Sequence, residues 1–253
     1  MNKILGLFLL IIVHNFTYGQ LVNIENQRIQ SDSIRTITII DLQYSYQNNN
    51  NEELSLVNFS GTHQYKTKNL KNYFLLLGNI DYSLANGEEL SNSGLIHLRY
   101  NRKLNKKLRI ESFIQYQYNK ILGIESRSLI GIGPRYKINK SDKTVFYIGS
   151  LLMQEFEKAA DNINTISDQR LSNYLSLSIK NKAKTLELTS VIYYQPNVNL
   201  WKDYRLSSQT SLAFNITSKV QFINSINYGY DSYAPTNVSK KNTVLTNGFK
   251  MHL

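Results

Sequence analysis

The chain has 253 residues, a formal net charge of +11, 18 Tyr, 10 Phe, only 3 Pro and no Cys. Without cysteine there are no disulfides, no thiolate metal site and no lipid-anchored N-terminus of the lipoprotein type. Beyond the first segment every apolar run is interrupted within a few positions, so no stretch reaches the roughly 20 apolar residues of a membrane-spanning helix.

The N-terminus carries Lys3, then the apolar run from Ile4 to Val13, then small or polar residues around Thr17 and Gly19. That is the layout of a secretory signal peptide over residues 1–19, cleaved after Gly19 to leave Gln20 first. Residues 20–33 (QLVNIENQRIQSDS) are polar and aperiodic and read as a periplasmic lead-in.

From residue 34 to 253 the pattern changes to strict apolar/polar alternation, the period of two that a β-strand imposes. It is clearest from Gly94 to Lys137. Ile96, Leu98 and Tyr100 share one face against His97, Arg99 and Asn101; Ile110, Ile114, Tyr116 and Tyr118 oppose Arg109, Glu111, Gln115 and Gln117; Ile130, Ile132, Tyr136 and Ile138 oppose Arg127, Gly131, Arg135 and Lys137. The spacing predicts strands near 34–47, 53–66, 72–84, 94–103, 108–119, 126–138, 144–156, 170–180, 185–195, 203–214, 219–231 and 242–253. Each approaches the roughly 9–11 residues that a tilted spanning strand needs.

The connections alternate in character. KTKNLK (66–71), KLNKK (103–107), NKSDK (139–143), KNKAK (180–184) and NITSK (215–219) are short and mostly Lys-rich. Those between them read as longer loops, QNNNNEE (47–53), LANGEELSNS (84–93), EKAADNINTISDQ (157–169), PNVNLWKD (196–203) and SYAPTNVSKK (232–241), with only the 121–125 connection short. A β-sandwich has no reason to sort its turns in this way, whereas outer-membrane barrels have short periplasmic turns and longer extracellular loops. The expected fold is therefore an all-β, antiparallel transmembrane β-barrel of about twelve strands, with ten and fourteen as neighbouring counts. The last strand ends on Leu253 rather than an aromatic residue.

The run LRYNRKLNKKLRIESFIQYQYNK (98–120) followed by RSLIGIGPRY (127–136), and in outline FYIGSLLMQEFE (146–157), resembles the salt-induced outer-membrane protein family, the YdiY-like group with a domain of unknown function. The resemblance implies a Gram-negative outer-membrane barrel and supplies no catalytic residues, so an enzyme is not expected. It also implies a narrow channel or an envelope protein linked to salt or osmotic conditions. The alternatives are a non-conducting structural or adhesive barrel acting through its extracellular loops and, less favoured, an outer-membrane lipid hydrolase.

Four charged residues fall on the inferred lumen side, Arg99, Glu111, Arg127 and Arg135. A KLNKK turn centred on Asn105 would set Arg99 directly opposite Glu111, a pairing that stabilises antiparallel strands by a few tenths to about 1 kcal/mol. These residues either fill the lumen as salt bridges or line an anion-selecting constriction. Gly131, Gly133 and Pro134 predict a bend or close backbone approach within a strand. Ser60 near His63 (SGTH) is the only hint of a hydrolase dyad, and His63, His97 and His252 have no partner at metal-ligand spacing, so neither a metal nor a cofactor is expected. Expected partners are outer-membrane lipids, the barrel assembly machinery, and ions or small solutes in the lumen. Nucleic acid is not among them, because the excess lysines sit in the short turns, at a depth where they would meet phospholipid phosphates.

Overall fold

The computed structural model describes residues 35–251 apart from 50, 51, 142, 184, 218 and 219. The signal peptide expected over 1–19, the lead-in over 20–33, His252 and the terminal Leu253 lie outside the described residues.

Twelve strands follow one another: β1 Thr36–Asn49, β2 Glu52–Lys66, β3 Asn72–Ala85, β4 Glu88–Lys103, β5 Leu108–Asn119, β6 Ile124–Lys140, β7 Thr144–Ala159, β8 Ile166–Lys180, β9 Leu186–Pro196, β10 Tyr204–Asn215, β11 Val220–Asp231 and β12 Lys241–Met251. Each pairs antiparallel with its sequence neighbour in one sheet of order β1 to β12. Among the described residues no ladder joins β12 back to β1. The sheet is nonetheless curled, because side chains meet across several strands: Tyr174 of β8 reaches Glu111 of β5, and Arg205 of β10 reaches Glu155 of β7.

The burial pattern distinguishes a membrane barrel from a sandwich. Ile130 and Ile132 on one face of β6 are 54% and 59% exposed, while Arg127 and Arg135 on the other face are 3% and 1% exposed. The same inversion recurs on β4, where Ile96 and Leu98 are exposed and His97 and Arg99 are buried. A water-soluble sandwich would bury the aliphatic parity, whereas a barrel in lipid turns it outward and keeps the polar parity inside.

Two connections differ from expectation. The segments 47–53 and 84–93 are not long loops. The β1 and β2 strands remain paired out to Asn49↔Glu52, and β3 and β4 out to Ala85↔Glu88, so only 86–87 separates the latter pair. Asn86 and Gly87 both have positive φ, 52° and 79°, as a two-residue hairpin turn that follows the sheet's twist requires, and an Asn-Gly pair adopts it with least strain. The Asn86 side chain also accepts the Glu53 N–H at 2.7 Å, tying one hairpin to the other. The described connections at the outer end therefore lengthen along the chain, from 86–87 through 120–123, 160–165 and 197–203 to 232–240.

Candidate functional site

The lumen holds a packed half and two charged layers. The packed half joins Phe113, Leu129, Leu151, Met153, Tyr174, Val191 and Tyr193, with Tyr73, Leu75 and Leu77 forming a second apolar group on β3. Room for these rings comes from missing side chains. A Cβ on Gly149 would stand 2.2 Å from the Tyr174 ring, and one on Gly133 would stand 2.1 Å from the Ser150 carbonyl oxygen. Gly133 is thus the close backbone approach that the GIGP run predicts, and Pro134, which has no N–H to donate, follows it where the β6–β7 ladder breaks between Ile132 and Arg135.

The inner charged layer, toward the short turns, brings together three of the four residues singled out by sequence. Glu111 is completely buried and holds Arg99 at 3.6 Å and Arg135 at 3.5 Å. The Tyr174 hydroxyl donates to Glu111 Oε2 at 2.5 Å and accepts from Arg135 Nη1 at 2.9 Å. The Arg135 guanidinium also lies 3.9 Å from the centre of the Tyr147 ring, which stabilises its charge out of water. The expected register is wrong by two residues. Arg99 faces Phe113, and Glu111 faces Asn101, so the ion pair is diagonal. The turn is centred on Lys106 because Asn105 Oδ1 accepts both the Lys107 and Leu108 N–H groups at 2.8 Å and bends the chain after itself.

Arg127 belongs to a different, outer layer. Its Nε contacts Glu157 at 2.6 Å. Glu157 also takes Arg205 Nη2 at 2.8 Å, Arg205 Nη1 meets Glu155 at 2.5 Å, and Arg205 Nε meets Asp231 at 2.8 Å. Arg170 completes the layer, 3.3 Å from Glu155, paired through both terminal nitrogens with Asp203 at 3.1 and 2.6 Å, and 3.8 Å from Asp168. Sequence reasoning gave Arg170 and Arg205 no role. It did not single out Glu155, Glu157, Asp203 or Asp231. The signal available was charge on the inward parity at the outer ends of β6 to β11, visible only once strands distant in sequence are known to face one another.

This layering bears on the anion-selecting reading. Arg127, Arg170 and Arg205 are outnumbered by Glu155, Glu157, Asp168, Asp203 and Asp231, so among the described residues the outer layer carries no surplus of positive charge. Of the two described histidines, His97 is buried, stacked 5.2 Å from Phe113 and bonded through Nδ1 to Gln115 at 2.8 Å. His63 is bonded to Thr38 at 2.8 Å. Ser60, three positions from His63, faces Asp41 and Asn79 across the ladders, on the opposite side of the sheet, so the two do not form a dyad. Among the described residues no group of three or more His, Asp and Glu is placed to hold a metal ion.

A comparison with curated proteins returned no match. Among solved structures the chain is similar to a KdgM porin, with a TM-score of 0.47 at 12% identity over 86% of this chain and 99% of that one. It is also similar to the NanC porin, with a TM-score of 0.50 at 9% identity over 85% of this chain and 99% of that one. At such identities the NanC likeness supports the barrel fold and nothing finer. Residues 39–251 match the family described as "Protein of unknown function, DUF481", and the chain belongs to that family.

Proposed function

We infer that the protein resides in the outer membrane as a narrow channel, with its bore confined to one side of a largely filled lumen. The observation that carries this reading is the contrast between the two inner walls. On β3 to β9 the inward positions are packed, with Leu75, Leu77, Leu151 and Met153 almost wholly buried. On β10 to β12 the inward positions include Gln209, Ser211, Ser225 and Thr246, which are polar and remain half-exposed. A wall of hydroxyls and amides beside a dry one offers a path for water, ions or small polar solutes and keeps it too narrow for larger ones. The outer charged layer would form its constriction. Conduction of this kind agrees with a role in salt or osmotic conditions.

Planar-bilayer recording of the refolded protein tests the reading. Small, resolvable openings are expected, and Ser225→Trp should abolish them without changing heat-modifiable migration. No openings above bilayer noise would refute it. Replacing Arg127 and Arg135 by Gln while measuring reversal potential tests their share, since an unchanged anion/cation ratio would remove them from selectivity. A second reading, a non-conducting barrel acting through its outer surface, is favoured by one feature, the projecting β1–β2 and β3–β4 hairpins with exposed Glu52, Glu53, Glu88 and Glu89 near their tips.

A further inference from the structure

At the outer end of the β9–β12 wall lies a partly open cavity. Leu122 and Ile124, from the β5–β6 connection and the start of β6, and Pro235 and Val238, from the 232–240 loop, give it an apolar side. The loop is held in place, because the Thr236 N–H donates to Asp161 Oδ2 at 2.9 Å and the Val238 N–H to the Pro235 carbonyl at 3.1 Å.

The polar side is lined by Arg127, Arg205, Asn227 and Asp231. Arg205 commits each of its three nitrogens to a carboxylate, so it has little left for a ligand. Arg127 uses Nε on Glu157, and among the described residues its two Nη groups make no hydrogen bond. Asn227 is 7% exposed, and among the described residues its Oδ1 has no donor. A buried acceptor left in that state costs stability unless something supplies a hydrogen. The charged groups in the lining are Arg127, Arg205, Lys240 and Asp231, and Arg127 and Arg205 are themselves paired to Glu157 and Glu155, so the site presents both signs of charge to a ligand.

We propose that this cavity binds a small zwitterion with an apolar side chain, of the α-amino-acid class. Its carboxylate takes the free Nη groups of Arg127, its ammonium donates to Asn227 Oδ1 and Asp231, and its side chain lies against Pro235 and Val238. A polyol would satisfy the polar side and leave the apolar one uncovered. Binding at this site does not require the lumen to conduct.

The test uses the refolded full chain in detergent micelles, titrated with leucine, N-acetylleucine and leucine methyl ester, which share one side chain and differ in charge. Leucine should bind most tightly, with each derivative roughly tenfold weaker, the scale of one lost charge-assisted hydrogen bond. Arg127→Gln should lower leucine to the level of the methyl ester and leave the methyl ester unchanged. Val238→Trp, a loop change outside the ion-pair layer, should remove leucine binding while the barrel stays folded. Absence of leucine binding, equal affinity for the three compounds, or binding indifferent to Val238→Trp would overturn the proposal.

Discussion

Glu111→Gln tests whether the lumen is dry at the level of the inner layer. Gln keeps the shape and can still accept from the Tyr174 hydroxyl, but it removes the carboxylate held between Arg99 and Arg135. Those guanidiniums are 3% and 1% exposed, so neither can turn to water without repacking the rings around it. Removing one member of a buried ion pair costs about 3–5 kcal/mol, because it leaves buried charge uncompensated. The same change in a water-filled bore would cost about 0–1 kcal/mol, since solvent screens such pairs. The two pictures therefore differ by several kcal/mol, well outside the error of an equilibrium urea titration in lipid vesicles with the folded fraction read by heat-modifiable migration. Adding Arg99→Met should recover part of the loss, because an apolar replacement of a buried pair is often neutral or better. A loss below about 1 kcal/mol for Glu111→Gln would mean that water reaches this layer, and the filled-lumen argument would fail.

Three further outcomes follow from the packing. Gly133→Ala should destabilise more than Gly149→Ala, because its Cβ meets the Ser150 backbone whereas that of Gly149 meets the Tyr174 ring, which can shift; overpacking of this kind costs about 1–3 kcal/mol. Gly61→Ala, with nothing within 4 Å of the added carbon, is the control in the same urea titration and should not be destabilising. Gly87→Ala forces a side chain into positive φ at the β3–β4 turn and should cost about 1–2 kcal/mol, read as faster amide exchange confined to that hairpin. Ile132→Arg, on the outward face, should cost about 2–4 kcal/mol in vesicles if that face meets the middle of the bilayer, whereas a near-neutral effect would place it in water.

The strand plan was legible because it depends on a local quantity. Each strand's outward and inward residues alternate within a few positions, so Ile130 and Arg127 could be assigned to opposite sides without knowledge of any other strand. The hairpin at 84–93 was misread for a physical reason. Its tip, residues 86–90, lacks alternation because neither face of the ribbon is buried there, and the Asn86–Gly87 turn is the remaining sign. Register failed by two residues at the KLNKK turn because the bend was set by one side chain, Asn105, rather than by the symmetry of the sequence. The outer layer was least accessible. Arg205 and Glu155 are separated by fifty positions, and their contact depends on the curl of the whole sheet.

The charge of the outer layer constrains what a passage beside it would admit. The inner layer holds Arg99 and Arg135 on Glu111 and lies toward the Lys-rich turns. Among the described residues the outer layer sets three guanidiniums against five carboxylates, and its more exposed members are acidic, Asp168 and Asp231 at 26% and 24%. An ion arriving from outside meets those carboxylates first. The chain's formal charge of +11 therefore gives the wrong sign for the entrance, because the field at a constriction is set by the groups lining it, while charges beyond about 8–10 Å are screened at physiological salt. If the passage conducts, it should favour cations, and replacing Asp168 and Asp231 together by Asn should move the reversal potential toward anions in a salt gradient. Anion preference in the native protein would require the path to run past Arg99 and Arg135 instead, through the half of the lumen that is packed with Leu151, Met153 and Tyr174.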